Sequence, residues 1–149
     1  MDGLYHSRVL ELAADISRVG RLTAPMGSST KVSRVCGSTV TVDLNVSDGK
    51  ISDLGMAVEA CALGQAAAAI LARHGVGASV EEIVAARDSL KAMIKEGGPP
   101  PEGRFWELRH LEGVRDYPPR HTSTMLAFEA AVAAIEQAQT ALAPASGPG

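Results

Sequence analysis

Two cysteines, Cys36 and Cys61, are the side chains of this 149-residue chain best suited to chemistry. Cys36 falls where a short strand runs into Gly37, and Cys61 opens an alanine-rich helix. A helix N-terminus carries unsatisfied N–H groups and a partial positive charge, which favours the thiolate needed for metal binding or sulfur chemistry. The alternative for each thiol is a buried filler, because free cysteine is among the most buried residue types. A disulfide between them is disfavoured in a reducing compartment. Of the four histidines, His6 and His74 read as solvated helix residues, and no two of the set His6, His74, His110 and His121 share a short metal-ligand spacing. His121 differs, standing beside Ser123 after Pro118-Pro119-Arg120 at the start of a helix. By position alone, the candidate metal ligands are Cys36, Cys61 and His121. A Ser123–His121 hydrolase lacks the Gly-x-Ser-x-Gly elbow. Gly75-Val76-Gly77 lacks the further residues of a dinucleotide or phosphate loop.

The elements that must position these residues follow from periodicity. Tyr5, Val9, Leu12, Ala13 and Ile16 recur at helical spacing, with Gly20 as the C-terminal cap. Residues 24–29 read as a breaker-rich loop and Lys31 to Val35 as a short strand. Val40, Val42, Leu44 and Val46 alternate with polar residues, and Ser47-Asp48-Gly49-Lys50 is a hairpin turn. The returning strand, 51–60, puts Leu54, Met56, Val58 and Ala60 on one face, while the parity of Ile51 calls for a bulge near Ser52 or Gly55. A helix then runs from Cys61 to about Arg73, its small residues suited to lying close on the sheet. Ser79-Val80-Glu81-Glu82 is a capping box for a helix whose face is traced by Val80, Ile83, Val84, Arg87 and Ile94. The segment 97–103 is an exposed Gly/Pro loop, a short helix covers Phe105 to Leu111, and Thr122 or Ser123 caps a last helix. The pattern predicts an α+β fold in one domain, 1–142: a small three-stranded antiparallel sheet covered on one face by helices, with 143–149 a disordered C-terminal tail.

Composition narrows the function classes. The chain is 46% hydrophobic and carries a net charge of −3, with no Lys/Arg cluster in sequence to mark a nucleic-acid surface. Aromatic residues make up only 3%, which excludes rows of base-stacking rings. The N-terminal residues carry no export-signal pattern and no apolar run is long enough to span a membrane, so a cytoplasmic chain is expected.

Cys36-Gly37-Ser38, the Asp48-Gly49-Lys50-Ile51 hairpin, the Ala60-Cys61 step into a small-residue helix, and Leu111-Glu112-Gly113-Val114-Arg115-Asp116-Tyr117-Pro118-Pro119-Arg120 followed by Met125-Leu126-Ala127 together resemble one family. It is the U-type iron–sulfur cluster assembly scaffolds (IscU, SufU and the N-terminal domain of NifU). The resemblance runs in order over most of the chain and looks closest to the SufU branch. It implies the IscU/SufU-like fold and three cysteines plus an aspartate at one end of the sheet, which hold zinc or a nascent cluster and receive sulfur from a cysteine desulfurase. Cys36 and Cys61 match the first two cysteines. Ser38 stands in place of the aspartate and Ser123 in place of the third cysteine, Thr122 corresponds to the histidine that precedes it in the IscU branch, and Arg120 matches the basic residue of SufU-like chains.

Two thiols cannot close a four-ligand site, and a neutral serine hydroxyl is a poor ligand near neutral pH. Three outcomes follow: His121 or another group completes the site, two subunits share a metal or cluster through Cys36 and Cys61, or metal chemistry is absent. The resemblance thus implies a scaffold or sulfur acceptor rather than a stand-alone catalyst, binding iron, a transient iron–sulfur cluster or zinc through Cys36 and Cys61, with His121 and Ser123 beside them in the metal set. Its partners would be a cysteine desulfurase and other assembly proteins, and the chain itself a monomer or homodimer. The alternative is a degenerate scaffold-fold module that docks a desulfurase without holding a cluster.

Overall fold

A computed structural model describes residues 6–14, 20–35 and 37–142, the side chains of 141 and 142 excepted. The order of elements is α1 (Ser7–Ala14), β1 (Gly27–Ser33), β2 (Ser38–Ser47), β3 (Lys50–Glu59), α2 (Ala62–His74), α3 (Val80–Glu96), a 3₁₀ run Gly103–Asp116, a 3₁₀ turn Pro118–Arg120, and α4 (His121–Leu142). The sheet is antiparallel with order β1-β2-β3, so the predicted α+β class and three-stranded sheet are what the chain forms. The expected cap at Gly20 and the expected tail fall partly or wholly outside the described residues.

Alternation in β2 buries Val40, Val42, Leu44 and Val46, and this row faces α4. That helix is buried on nearly every side, through residues such as Met125, Phe128, Ala131, Ile135 and Ala138, the pattern of a helix enclosed by other elements. It runs along β1 and β2, while α2 packs against α1 and α4 and barely meets β3. The expectation that α2 lies on the sheet is therefore corrected: its alanines fit it between two helices, and α4 takes the sheet. Gly27 shows how closely α4 approaches, since a Cβ there would overlap the Ala134 carbonyl oxygen.

Four further expectations are revised. β1 begins at Gly27, inside the expected loop, because its Ser/Thr residues are paired through the sheet register from Gly27↔Leu44 to Ser33↔Ser38. The face of α3 is Val80, Ile83, Ala86, Leu90, Met93 and Ile94, with Val84 and Arg87 at its margin. The short helix at Phe105 is a longer 3₁₀ run. Within the Gly/Pro loop, Pro101 is buried rather than exposed. The bulge, by contrast, sits where parity required it: Asn45 pairs with Asp53 and Val46 with Ile51, leaving Ser52 as the extra residue. The Ser79–Glu82 capping box forms with both reciprocal hydrogen bonds.

Around Asp43 and Gly55, the sheet face away from α4 is covered by the segment after Gly20. Asp43 is fully buried there, accepting hydrogen bonds from Arg21 Nε (2.6 Å), the Leu22 amide (3.0 Å) and Ser28 Oγ (2.6 Å). Burial alone would raise its carboxyl, but the bonds from Arg21, Ser28 and Leu22 and the Arg21 charge hold it below the usual carboxylate range.

Candidate functional site

The antiparallel register sets the site. Thr39 pairs with Glu59, so the start of β2 and the exit of β3 lie at one end of the sheet, and Ser38 and Cys61 meet there. The Cys61 amide donates to Ser38 Oγ at 3.4 Å. Cys61 is the N-cap of α2 in extended conformation (φ −67°, ψ 172°), yet its side chain caps no backbone amide. The thiol turns instead to Ser123 Oγ, 3.7 Å away, and Ser123 Oγ in turn donates to the Arg120 carbonyl at 3.2 Å. Ser38 and Ser123 are buried, while Cys61 is partly exposed.

The approach of α2 to α4 that joins Cys61 to Ser123 depends on Gly64. A Cβ at Gly64 would stand 2.8 Å from Ala60 Cβ and 3.1 Å from the Ser123 carbonyl oxygen, too tight for a side chain without displacing Ser123. Small residues at 60 and 64 thus place the thiol against the hydroxyl.

Three of the four positions singled out by sequence resemblance, Ser38, Cys61 and Ser123, are brought together. The fourth, Cys36, lies outside the described residues; its neighbours Val35 and Gly37 belong to the β1–β2 turn, where the Gly37 amide donates to the Ser33 carbonyl at 2.8 Å. His121 opens α4, but its Nε2 donates to the Val114 and Arg115 carbonyls at 3.0 and 3.2 Å. That leaves Nδ1 as the ring nitrogen open to a ligand. His121 and Ser123 are two residues apart on one helix and do not face each other, and Ser123 Oγ donates to a carbonyl, so these two do not form a Ser–His nucleophile pair. Among the described residues, no group of three Cys, His, Asp or Glu side chains is arranged to hold a metal ion. One thiol with two neutral hydroxyls does not fit the closed four-ligand set of a resident zinc.

Two of the histidines read as solvated have structural partners. His6 precedes α1 and joins the His110 carbonyl through Nε2 at 3.0 Å. His74 Nε2 meets Glu107 Oε1 at 2.7 Å. Glu107 is only 1% exposed and also binds Arg8 (2.6 Å) and Arg73 (3.2 Å). Burial opposes its charge, but the bonds from His74 and Arg8 with the Arg73 charge hold its carboxyl below the usual range. This cluster ties α1, α2 and the 3₁₀ run together at the end of α2 away from Cys61.

A three-stranded antiparallel sheet under one enclosed helix, with a thiol at a helix N-terminus at one sheet end, is the arrangement of the U-type scaffold class. The chain belongs to the NifU-like N-terminal domain family, which it matches over residues 4–141. It is similar to the crystal structure of a nitrogen-fixing NifU-like protein (N-terminal) from Brucella abortus, with a TM-score of 0.91 and 46% identity over 93% of this chain and 96% of that one. Among curated proteins it is 24% identical over 134 residues to the iron–sulfur cluster assembly scaffold protein IscU of Thermotoga maritima, covering 90% of this chain and 94% of the relative. It is 26% identical over 106 residues to the protein of the same name from Streptococcus pyogenes serotype M1, covering 71% and 67%. No described helix is long and apolar enough to cross a membrane.

Proposed function

We propose that this family member takes iron–sulfur cargo, as sulfur, iron or a nascent cluster, through Cys36 and Cys61, with a cysteine desulfurase as its sulfur donor. The observation that carries this is the partly exposed Cys61 thiol at the sheet end, at the margin of the core and 3.7 Å from Ser123 Oγ. Sulfur acceptance needs only a thiol: the Cys61 thiolate attacks the terminal sulfur of a donor persulfide, forms the new S–S bond and releases the donor thiolate, so no external oxidant or reductant is required. A cluster held by four thiolates would draw Cys36 and Cys61 from each of two chains.

Anaerobic incubation with ferrous iron and sulfide, and separately with a desulfurase and cysteine, tests the reading. Iron, sulfide or persulfide should load onto the unaltered chain and be lost in Cys36→Ala and Cys61→Ala. An unaltered chain that takes up none of them overturns it. The second reading, a module that docks a desulfurase without cargo, is favoured by the hydroxyls of Ser38 and Ser123 at the other two positions. Its sign is a desulfurase retained when both cysteines are replaced, with no cargo on the unaltered chain.

A further inference from the structure

We propose that the outer edge of β1 and the adjoining lysine-lined groove dock an extended acidic segment of a partner protein. The two edges of the sheet are treated differently. Outside β3, Gly20 exchanges two backbone hydrogen bonds with Met56 (2.7 and 3.0 Å), and Ile51 bonds Gly77 and Ala78 (2.8 Å each). Outside β1, the Ser28 amide is taken by Gln137 Oε1 at 3.0 Å. By the two-residue period of a strand, Thr30 and Val32 turn their amides the same way, and among the described residues nothing bonds to them. Val32 is also 54% exposed, an apolar side chain on an open strand edge that proteins ordinarily shield.

The groove beside this edge is lined by Lys31 and Val32 of β1, Lys91 and Lys95 of α3, and Met125, Leu126 and Glu129 among the residues of α4. Lys31 alone would be an ordinary guard against edge pairing. Lys91 and Lys95 come from a different element and stand four residues apart, where like charges repel on a helix. The lining carboxylate does not neutralise them, because Glu129 is held by Arg87 at 3.0 Å. Unbonded strand amides, an apolar floor and three lysines fit a segment that adds as a strand, alternates apolar with acidic side chains, and sets its carboxylates against the lysines. The groove adjoins Ser123 through Thr122 and Met125, so such a partner would sit next to the thiol site; its binding does not require that the thiols carry cargo.

A random octapeptide display library sorted on the full chain tests this. Enriched peptides should carry two or more Asp or Glu residues among apolar ones, bind more weakly as salt rises, and protect the Thr30 and Val32 amides from hydrogen exchange. Affinity should fall at least about tenfold in the exposed-surface variants Lys91→Glu/Lys95→Glu and Lys91→Gln/Lys95→Gln, with folding checked by circular dichroism. Enrichment without acidic residues, binding unchanged in both variants, or no protection at Thr30 and Val32 overturns the proposal. So does a dimer in sedimentation velocity that the charge reversal abolishes, since a second copy would then be the occupant.

Discussion

Ser123 accepts from the Cys61 thiol and donates to the Arg120 carbonyl, so one hydroxyl orients a sulfur through hydrogen bonds alone. Ser38 does the corresponding work on the Cys61 amide. The two residues stand where the family resemblance implies ligands, and they have the chemistry of hydrogen-bond partners. Their replacement is therefore a sharp test of what limits the site. Ser38→Asp together with Ser123→Cys would place a carboxylate and a further thiol beside Cys61. Zinc affinity should rise by at least ~100-fold, to one ion per chain, with proton release on binding. Isothermal titration of the unaltered and double-variant chains reads this directly. Equal, weak zinc uptake by both would show that geometry, and not donor chemistry, excludes the metal.

At the scale of elements, the close seat of α4 on β1 rests on Gly27, where an added Cβ meets the Ala134 carbonyl oxygen. Gly27→Ala should cost about 3 kcal/mol, because backbone of a buried helix cannot step aside as a side chain can. Gly49→Ala is the control: its φ of +75° strains any side chain, but the space around it is open, so the cost is ~1 kcal/mol. Urea unfolding midpoints compare the two, and equal losses would mean that α4 shifts without resistance. The elements that could be read from sequence were those with local signals. Strict alternation marked β2, side-chain parity required a bulge and Ser52 supplies it, and the spacing of Ser79 and Glu82 marked the start of α3. β1 was half hidden because Gly-Ser-Ser-Thr has the composition of a loop and becomes a strand only through its pairing with β2. Of the site, Cys61 was legible from its position and Ser123 only through the family resemblance, because no local signal links two residues that are 62 apart and meet through the packing of α2 on α4. Glu107 left no sequence signal for the same reason: Arg8 lies 99 residues away and His74 lies 33.

Across the whole molecule, two buried carboxylates join distant parts of the chain. Glu107 ties α1 and α2 to the 3₁₀ run, and Asp43 ties the segment after Gly20 to the sheet. Both are held below their ordinary values of 4.5 and 3.8, against the opposing effect of burial, by the hydrogen bonds and charges around them. The unfolded chain therefore takes up protons at these groups before the folded chain does. Their stabilisation is complete above about pH 5 and drains away as pH falls through the lowered folded values. His110 acts in the same direction from a higher starting point, near 6.5, because burial and the neighbouring His6 and Arg8 charges disfavour its cation in the folded state. The melting temperature should decline gently from pH 7 to 5 and more steeply below. Glu107→Gln should lower stability by about 2 kcal/mol at pH 7, since Arg8 and Arg73 lose their counter-charge but remain partly exposed. The gap between this variant and the unaltered chain should narrow as pH drops below 4.5, because protonation brings the native carboxyl to the same neutral state. Thermal melts of both chains between pH 3 and 7 measure it, and a gap that stays constant to pH 3 would show that the Glu107 cluster acts through packing rather than charge.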